Sequence, residues 1–215
     1  MTRADARSLR VLVVDDHPLY RHGLVAAWSR ERPGDAVVEA ASVAQAQQSL
    51  RSHAADVAVI DVLLPDGTGL DVCLYARRHA STTLPIMLST YDAPAIVEAS
   101  RRVGARGFFS KDASIVSLLQ AVERLLDGRL DAAFPRVPDL PPFTERERDI
   151  VKLLLHGATN PAMARALGVS TETIKTHVTS VMTKLESHDR FGAAAAARSW
   201  GFDLALPYLG DDTGS

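Results

Sequence analysis

The chain has 215 residues, 47% hydrophobic and 23% charged, with a formal net charge of −2. This balance fits one large or two modest globular domains, and its charge alone points to no polyanionic partner. A single cysteine, Cys73, excludes an internal disulfide framework; with no apolar run near ~20 residues and no signal-peptide core at the start, a cytoplasmic protein without a membrane partner is expected.

Residues 9–14 are an apolar run interrupted by Arg10, and it stops at Asp15-Asp16. His17-Pro18 opens a helical pattern through Leu24 and Trp28 that Pro33-Gly34 ends. Residues 36–40 read as a strand and 42–51 as a helix. Residues 57–60 form a short continuous apolar run ending at Asp61, and the Pro65 to Gly69 cluster breaks it. Residues 69–78 are helical, with Leu70, Cys73 and Leu74 on one face. The run 85–88 stops at Ser89, 93–103 is helical, 107–109 stops at Ser110-Lys111, and 115–126 is a helix ended by Gly128.

Continuous apolar strands alternating with amphipathic helices predict an α/β domain with a doubly wound parallel sheet covered on both faces. In such sheets ligands bind beyond the carboxyl ends of the strands. Asp15, Asp16, Asp61, Ser89 and Lys111 therefore converge on one rim. Three carboxylates there repel one another, and a hard divalent cation with oxygen ligands, Mg²⁺, relieves that cost. Asp61 is then a candidate nucleophile towards phosphorus, with Lys111 as a positive partner and Ser89 as a donor for phosphoryl oxygens. Alternatively, the lysine only pairs with the carboxylates and holds the rim together.

Residues 9–128 resemble the receiver domain of two-component response regulators. Asp15-Asp16 matches the acidic pair, Asp61 the phosphoacceptor, Ser89 the switch hydroxyl, Phe108 the aromatic switch and Lys111 the lysine. Pro65 matches too, and Leu64 stands where methionine is usual. The resemblance implies five parallel strands in the order 2-1-3-4-5, a flavodoxin-like fold. It also implies the Leu63 carbonyl as a metal ligand beside Asp15, Asp16 and Asp61.

Four prolines, at 135, 138, 141 and 142, occur without helical period. Residues 131–142 read as a semi-extended linker between a domain at 1–130 and a second at 143–205. The polar stretch 206–215 reads as a disordered tail.

In the second domain, Thr144 to Glu147 is a capping box before an apolar period. Asn160 is expected to cap a second helix with Pro161 in its first position, and Met163 and Leu167 as its buried pair. Ser170 caps a third helix. Ile174, Val178, Val181, Met182 and Leu185 lie on one side of it, and Glu172, Thr176, Thr179 and Thr183 on the other, flanked by Lys175. A face of short hydroxyls and one lysine suits a major groove, although 8 Lys/Arg against 7 Asp/Glu over 143–203 give a net of only +1.

Residues 143–202 resemble the LuxR-type helix-turn-helix domain, carried by Thr-Glu-Arg-Glu-Arg-Asp-Ile-Val-Lys-Leu and Val-Ser-Thr-Glu-Thr-Ile-Lys-Thr-His-Val. A receiver followed by this all-α, four-helix domain is the arrangement of the NarL/FixJ family. The resemblance implies Lys175, Thr176 and Thr179 facing bases, and Thr159, Asn160, Thr171, Thr173 and His177 in backbone or structural contacts. Lys184 is within reach of a phosphate. Glu186-Ser187 departs from the usual Gly-Val after the third helix. Residues 191–200 resemble the dimer-forming element.

The resulting expectation is a DNA-binding transcriptional regulator, not an enzyme, phosphorylated by a sensor histidine kinase and dimeric when phosphorylated. Two alternatives remain open: a receiver controlled by a ligand or protein partner, and an aspartyl-nucleophile phosphatase. Against the second, Leu63 stands where such enzymes place a second acid.

Overall fold

In the computed structural model, which describes residues 7–52, 55–90 and 92–203, the chain divides into two units, the second made of the residues after Arg136 together with the short stretch 93–96. The expected tail, 206–215, lies outside the described residues. In the first unit, β1 (Arg10–Val14), β2 (Ala36–Ala40) and β3 (Val57–Asp61) alternate with α1 (Pro18–Glu31) and α2 (Val43–Ser52). A small hairpin, β4 (Leu63–Leu64) and β5 (Gly67–Thr68), precedes α3 (Gly69–His79). Then come β6 (Leu84–Ser89), α4 (Pro94–Val103), β7 (Gly107–Ser110) and α5 (Ile115–Leu126).

The five long strands form one parallel sheet in the order β2-β1-β3-β6-β7, the 2-1-3-4-5 order of the expected fold. Side chains alternate between its faces. Val11, Val13, Val57, Val59, Ile86 and Leu88 pack with Trp28 of α1 and with Leu118, Leu119 and Val122 of α5. Their neighbours Leu12, Val14, Ala58, Ile60 and Met87 are also buried, so the central strands are apolar on both sides.

Strands β3, β6 and β7 run one residue further at the rim than their apolar runs. Asp61 pairs in register with Leu88, and Ser89 with Ser110. A ladder uses only main-chain groups, so a polar side chain does not end it. The hairpin has a structural role of its own: Asp66 accepts from the N–H groups of Val43 (2.7 Å) and Ala44 (3.0 Å), capping α2 from outside that helix.

The stretch expected as linker from residue 131 is not free along its length. Ala133 bridges to Gly107 beside β7, and the division falls only after Arg136.

The second unit contains α6 (Glu145–Leu155), α7 (Asn160–Leu167), α8 (Thr171–Lys184) and α9 (Arg190–Ser199). Its core is Phe143, Ile150, Val151, Leu154, Met163, Ile174, Val178, Val181 and Leu185, closed by Ala193 and Ala197 of α9. Thr144 and Glu147 form the capping box of α6, and Ser170 caps α8. Two expectations are corrected. Thr159, not Asn160, caps α7, accepting from Ala162 N–H, and Pro161 falls on the second helical position. Leu167 is only partly buried, and Ala164 takes the inner place beside Met163. The departure at Glu186 has a backbone consequence: among the described residues it is the one non-glycine residue at positive φ, 51°.

Candidate functional site

Asp15 leaves β1 and Asp61 closes β3, both buried. The Lys111 N–H donates to Ser89 O (2.8 Å), tying the end of β7 to the end of β6. Its amine then reaches across the rim, 2.7 Å from Asp61 Oδ2 and 2.6 Å from Asp15 Oδ2. Two buried carboxylates thus share one cation. Burial is the largest influence on Asp61 and pushes its carboxyl above the usual range, with Lys111 pulling in the opposite sense. Burial works against the charged Lys111 amine, but its bonds to Asp15 and Asp61 prevail and raise it.

Tyr20 on α1 completes the wall. Its hydroxyl donates to Lys111 O (3.3 Å), and the Lys111 amine lies 4.8 Å from its ring centroid. Burial first, and then the nearby Asp15, push the phenol up to about 12, so it stays neutral. Aromatic residues are common in amphipathic helices, and no sequence signal singled out Tyr20.

Asp16 is more exposed and lies 2.7 Å from His17 Nδ1. Asp15 Oδ2 and Asp16 Oδ1 are buried, and their close partners are the Lys111 amine and the His17 imidazole. Ligand atoms of Asp15, Asp16, His17 and Asp61 all lie within 4.8 Å of one another. Three carboxylates this close outnumber the one lysine amine between them, and a hard divalent cation with oxygen ligands offsets the surplus negative charge, so the donor set fits Mg²⁺. Leu63 begins the hairpin two residues after Asp61, and its main-chain N–H bonds the Asp61 carboxylate. Ser89 and Phe108 are both buried, on the neighbouring strands β6 and β7.

In the sequence Gly69 reads only as the end of a turn cluster and the start of a helix. A Cβ there would lie 2.0 Å from Asp61 O and 2.8 Å from Ile60 Cγ2. Glycine lets the first turn of α3 sit directly on the strand end that carries Asp61.

In the second unit, Thr171, Thr173, Lys175, Thr176 and Thr179 are exposed on α8, and His177 is partly exposed. Lys175 pairs with Glu172 at 3.0 Å, and Thr176 donates to Glu172 O. Thr173 is engaged with the Ser170 cap. Asn160, at the first position of α7, keeps a buried Oδ1 without a hydrogen-bond partner. Lys184 departs from expectation. Its amine donates to Pro142 O (2.8 Å) and Glu147 Oε2 (2.6 Å), so it ties α8 to α6 instead of standing free for a phosphate. Glu147 also accepts from Ser180 (2.6 Å) and from Thr144 N–H. Burial alone would raise this carboxyl; the donors, led by Lys184, hold it down at about 2.

The sequence matches two families: "Response regulator receiver domain" over residues 11–123, and "Bacterial regulatory proteins, luxR family" over residues 141–197. The chain is 33% identical to the "Probable transcriptional regulatory protein NarL" of Mycobacterium tuberculosis, over 92% of this chain and 97% of that one. It is 32% identical to the "DNA-binding transcriptional activator DevR/DosR" of the same organism, over 88% and 94%. Among solved structures, one described as two RcsB dimers bound to two parallel DNAs shares the fold with a TM-score of 0.66 at 23% identity, covering 90% of this chain and 99% of that one.

Proposed function

This chain belongs to the NarL/FixJ family of response regulators, a receiver domain followed by a LuxR-type helix-turn-helix domain, and from that membership we propose that Asp61 is its phosphoacceptor. It is a DNA-binding transcriptional regulator of a two-component system. The observation that carries the assignment of Asp61 is the Lys111 amine held between Asp61 and Asp15.

In this reading a sensor histidine kinase is the phosphodonor. An Asp61 oxygen attacks phosphorus, the N–P bond of the donor breaks with its electron pair returning to the imidazole, and an acyl phosphate forms. Asp15, Asp16, Asp61 and the Leu63 carbonyl would hold Mg²⁺, which when bound would supply positive charge against the phosphoryl oxygens. Lys111 then transfers its pairing to a phosphoryl oxygen, and the Ser89 hydroxyl donates to another. The buried Phe108 ring is the switch element behind them.

For the second unit, Lys175, Thr176 and Thr179 read base edges, while Asn160, Thr171, Thr173 and His177 position the helix on the sugar-phosphate backbone. Phosphorylated protein pairs as a homodimer on two half-sites. The 82% exposed Phe191 on α9 supports that helix as part of the pairing surface.

The test is labelling of full-length protein by a small phosphodonor with Mg²⁺. Wild type takes up one phosphoryl group in a hydroxylamine-sensitive bond and Asp61→Asn takes up none; undiminished labelling of the variant refutes the assignment. Selection of duplexes from random DNA, with and without phosphodonor, then identifies the operator.

A further inference from the structure

Beyond α5 the chain turns back along the sheet before it leaves the first unit. Arg106 Nε donates to Asp131 O at 2.7 Å. The Ala133 N–H donates to Arg106 O and its carbonyl accepts from the Phe108 N–H, both at 2.8 Å. The Phe134 ring stacks against the Arg101 guanidinium of α4, 4.2 Å from carbon to centroid. Residues 131–134 thus add one parallel bridge outside the edge strand β7. Gly107 makes room for it: a Cβ there would lie 3.3 Å from Ala133 O and 3.2 Å from a Phe109 ring carbon.

We propose that this strap is a latch on the tether between the two units, closed in the unphosphorylated protein and opened by phosphorylation. The proposal rests on Asp61 being the phosphoacceptor. The strap reads the same strand that carries the switch: Phe108 gives its main-chain N–H to Ala133, and Lys111 follows at the other end of β7. When Lys111 exchanges Asp15 for a phosphoryl oxygen, β7 and Phe108 shift with it. A single bridge at a sheet edge has few hydrogen bonds to hold it and belongs to the low-stability end of such a unit. A surface hollow of about 540 Å³, lined by Phe108, Ser110, Leu130, Ala133 and Phe134, gives the Phe108 ring a place to move beneath the strap.

With the latch closed, the free tether begins at residue 135. With it open, the tether begins at 131, which adds roughly 13 Å of extended reach. Phosphorylation therefore lengthens the tether, widening the range of half-site positions that the DNA-binding unit can meet.

Amide hydrogen exchange on the full chain tests this, before and after treatment with phosphodonor and Mg²⁺, with intact mass giving the phosphorylated fraction of the same sample. The Phe108 and Ala133 amides are expected to exchange at least tenfold faster after phosphorylation, with Val59 and Met87 unchanged. Unchanged exchange at Ala133 in protein carrying the phosphoryl group on Asp61 overturns the latch and leaves the phosphoacceptor assignment standing. If Asp61 takes no label, the assignment itself fails and the latch is judged without phosphate. Ala133→Pro deletes the N–H given to Arg106 and should bind the selected duplex several-fold tighter than unphosphorylated wild type. Phe134→Ala, which keeps the backbone intact, should act in the same direction more weakly. Wild-type affinity in both variants, with an unaltered unfolding midpoint, overturns the proposal.

Discussion

The Lys111 amine lies 2.7 Å from Asp61 Oδ2 although 50 residues separate them in sequence, and it is the only cation among the described residues within salt-bridge distance of either Asp61 or the Asp15 carboxylate, His17 apart. The same group that would steady a phosphoryl oxygen therefore also neutralises two buried acids in the resting protein.

Removing that amine should expose the cost. Lys111→Met is expected to lose about 3 kcal/mol of stability without metal, because it strands buried carboxylates. Saturating Mg²⁺ should restore much of the loss in the variant, since the ion replaces the missing positive charge. Urea titrations of both proteins with and without Mg²⁺ measure this; equal losses in both conditions would remove the metal from the account.

Gly69→Ala should damage the site without altering any of its chemical groups. A methyl group 2.0 Å from Asp61 O cannot be absorbed without moving α3 or the end of β3. A destabilisation of about 3 kcal/mol or more, at the upper end of overpacking costs, is expected. The protein that remains folded should take up phosphoryl more slowly from a small donor. Labelling at the wild-type rate would mean that α3, and not the strand, gives way.

Glu147 should make the second unit acid-sensitive. Its carboxyl is lowered from 4.5 to about 2 in the folded state. A depressed carboxyl stabilises fully above its unfolded value and loses that contribution as pH falls through the folded one. Some 2–3 kcal/mol should therefore disappear between about pH 5 and pH 2. Glu147→Gln should be less stable at neutral pH and show a flatter acid limb. Parallel denaturant midpoints across that range check the slope.

Glu186→Gly should stabilise the second unit by about 1 kcal/mol, since a side chain at positive φ carries a steric cost that glycine lacks. The hydrogen bonds of this helix end, Glu186 N–H to Thr183 O and Ser187 N–H to Met182 O, do not depend on the side chain. A higher thermal midpoint with unchanged DNA affinity is the expected result, and a lower midpoint would point to a compensating contact of the carboxylate.

Much of this was legible in the sequence because it rests on periodicity. Strands β1, β3, β6 and β7 were marked by apolar runs, and their ends placed Asp15, Asp61, Ser89 and Lys111 on one rim. The boundaries of α5 and the capping box at Thr144 followed from local rules alone. What was not legible depends on contacts across the fold. Nothing local distinguishes Gly69 from an ordinary turn glycine, or Lys184 from a solvent-facing lysine. The pairing of Ala133 with β7 is a main-chain bond, which proline content obscured. Thr159 and Asn160 are both good capping residues, and only the backbone path chooses between them.

The depth at which the charges lie divides the protein's sensitivity to its ionic surroundings. Lys111, Asp15 and Asp61 have side chains only 8%, 1% and 7% exposed, whereas Lys175 and Glu172 are 59% and 80% exposed. Dissolved salt screens the exposed pair and scarcely reaches the buried three. Binding to a nucleic acid also releases counterions and weakens steeply as salt rises. An osmotic shock that concentrates ions would then leave receipt of the signal nearly untouched while loosening the protein's hold on its operator, so that output falls before input does.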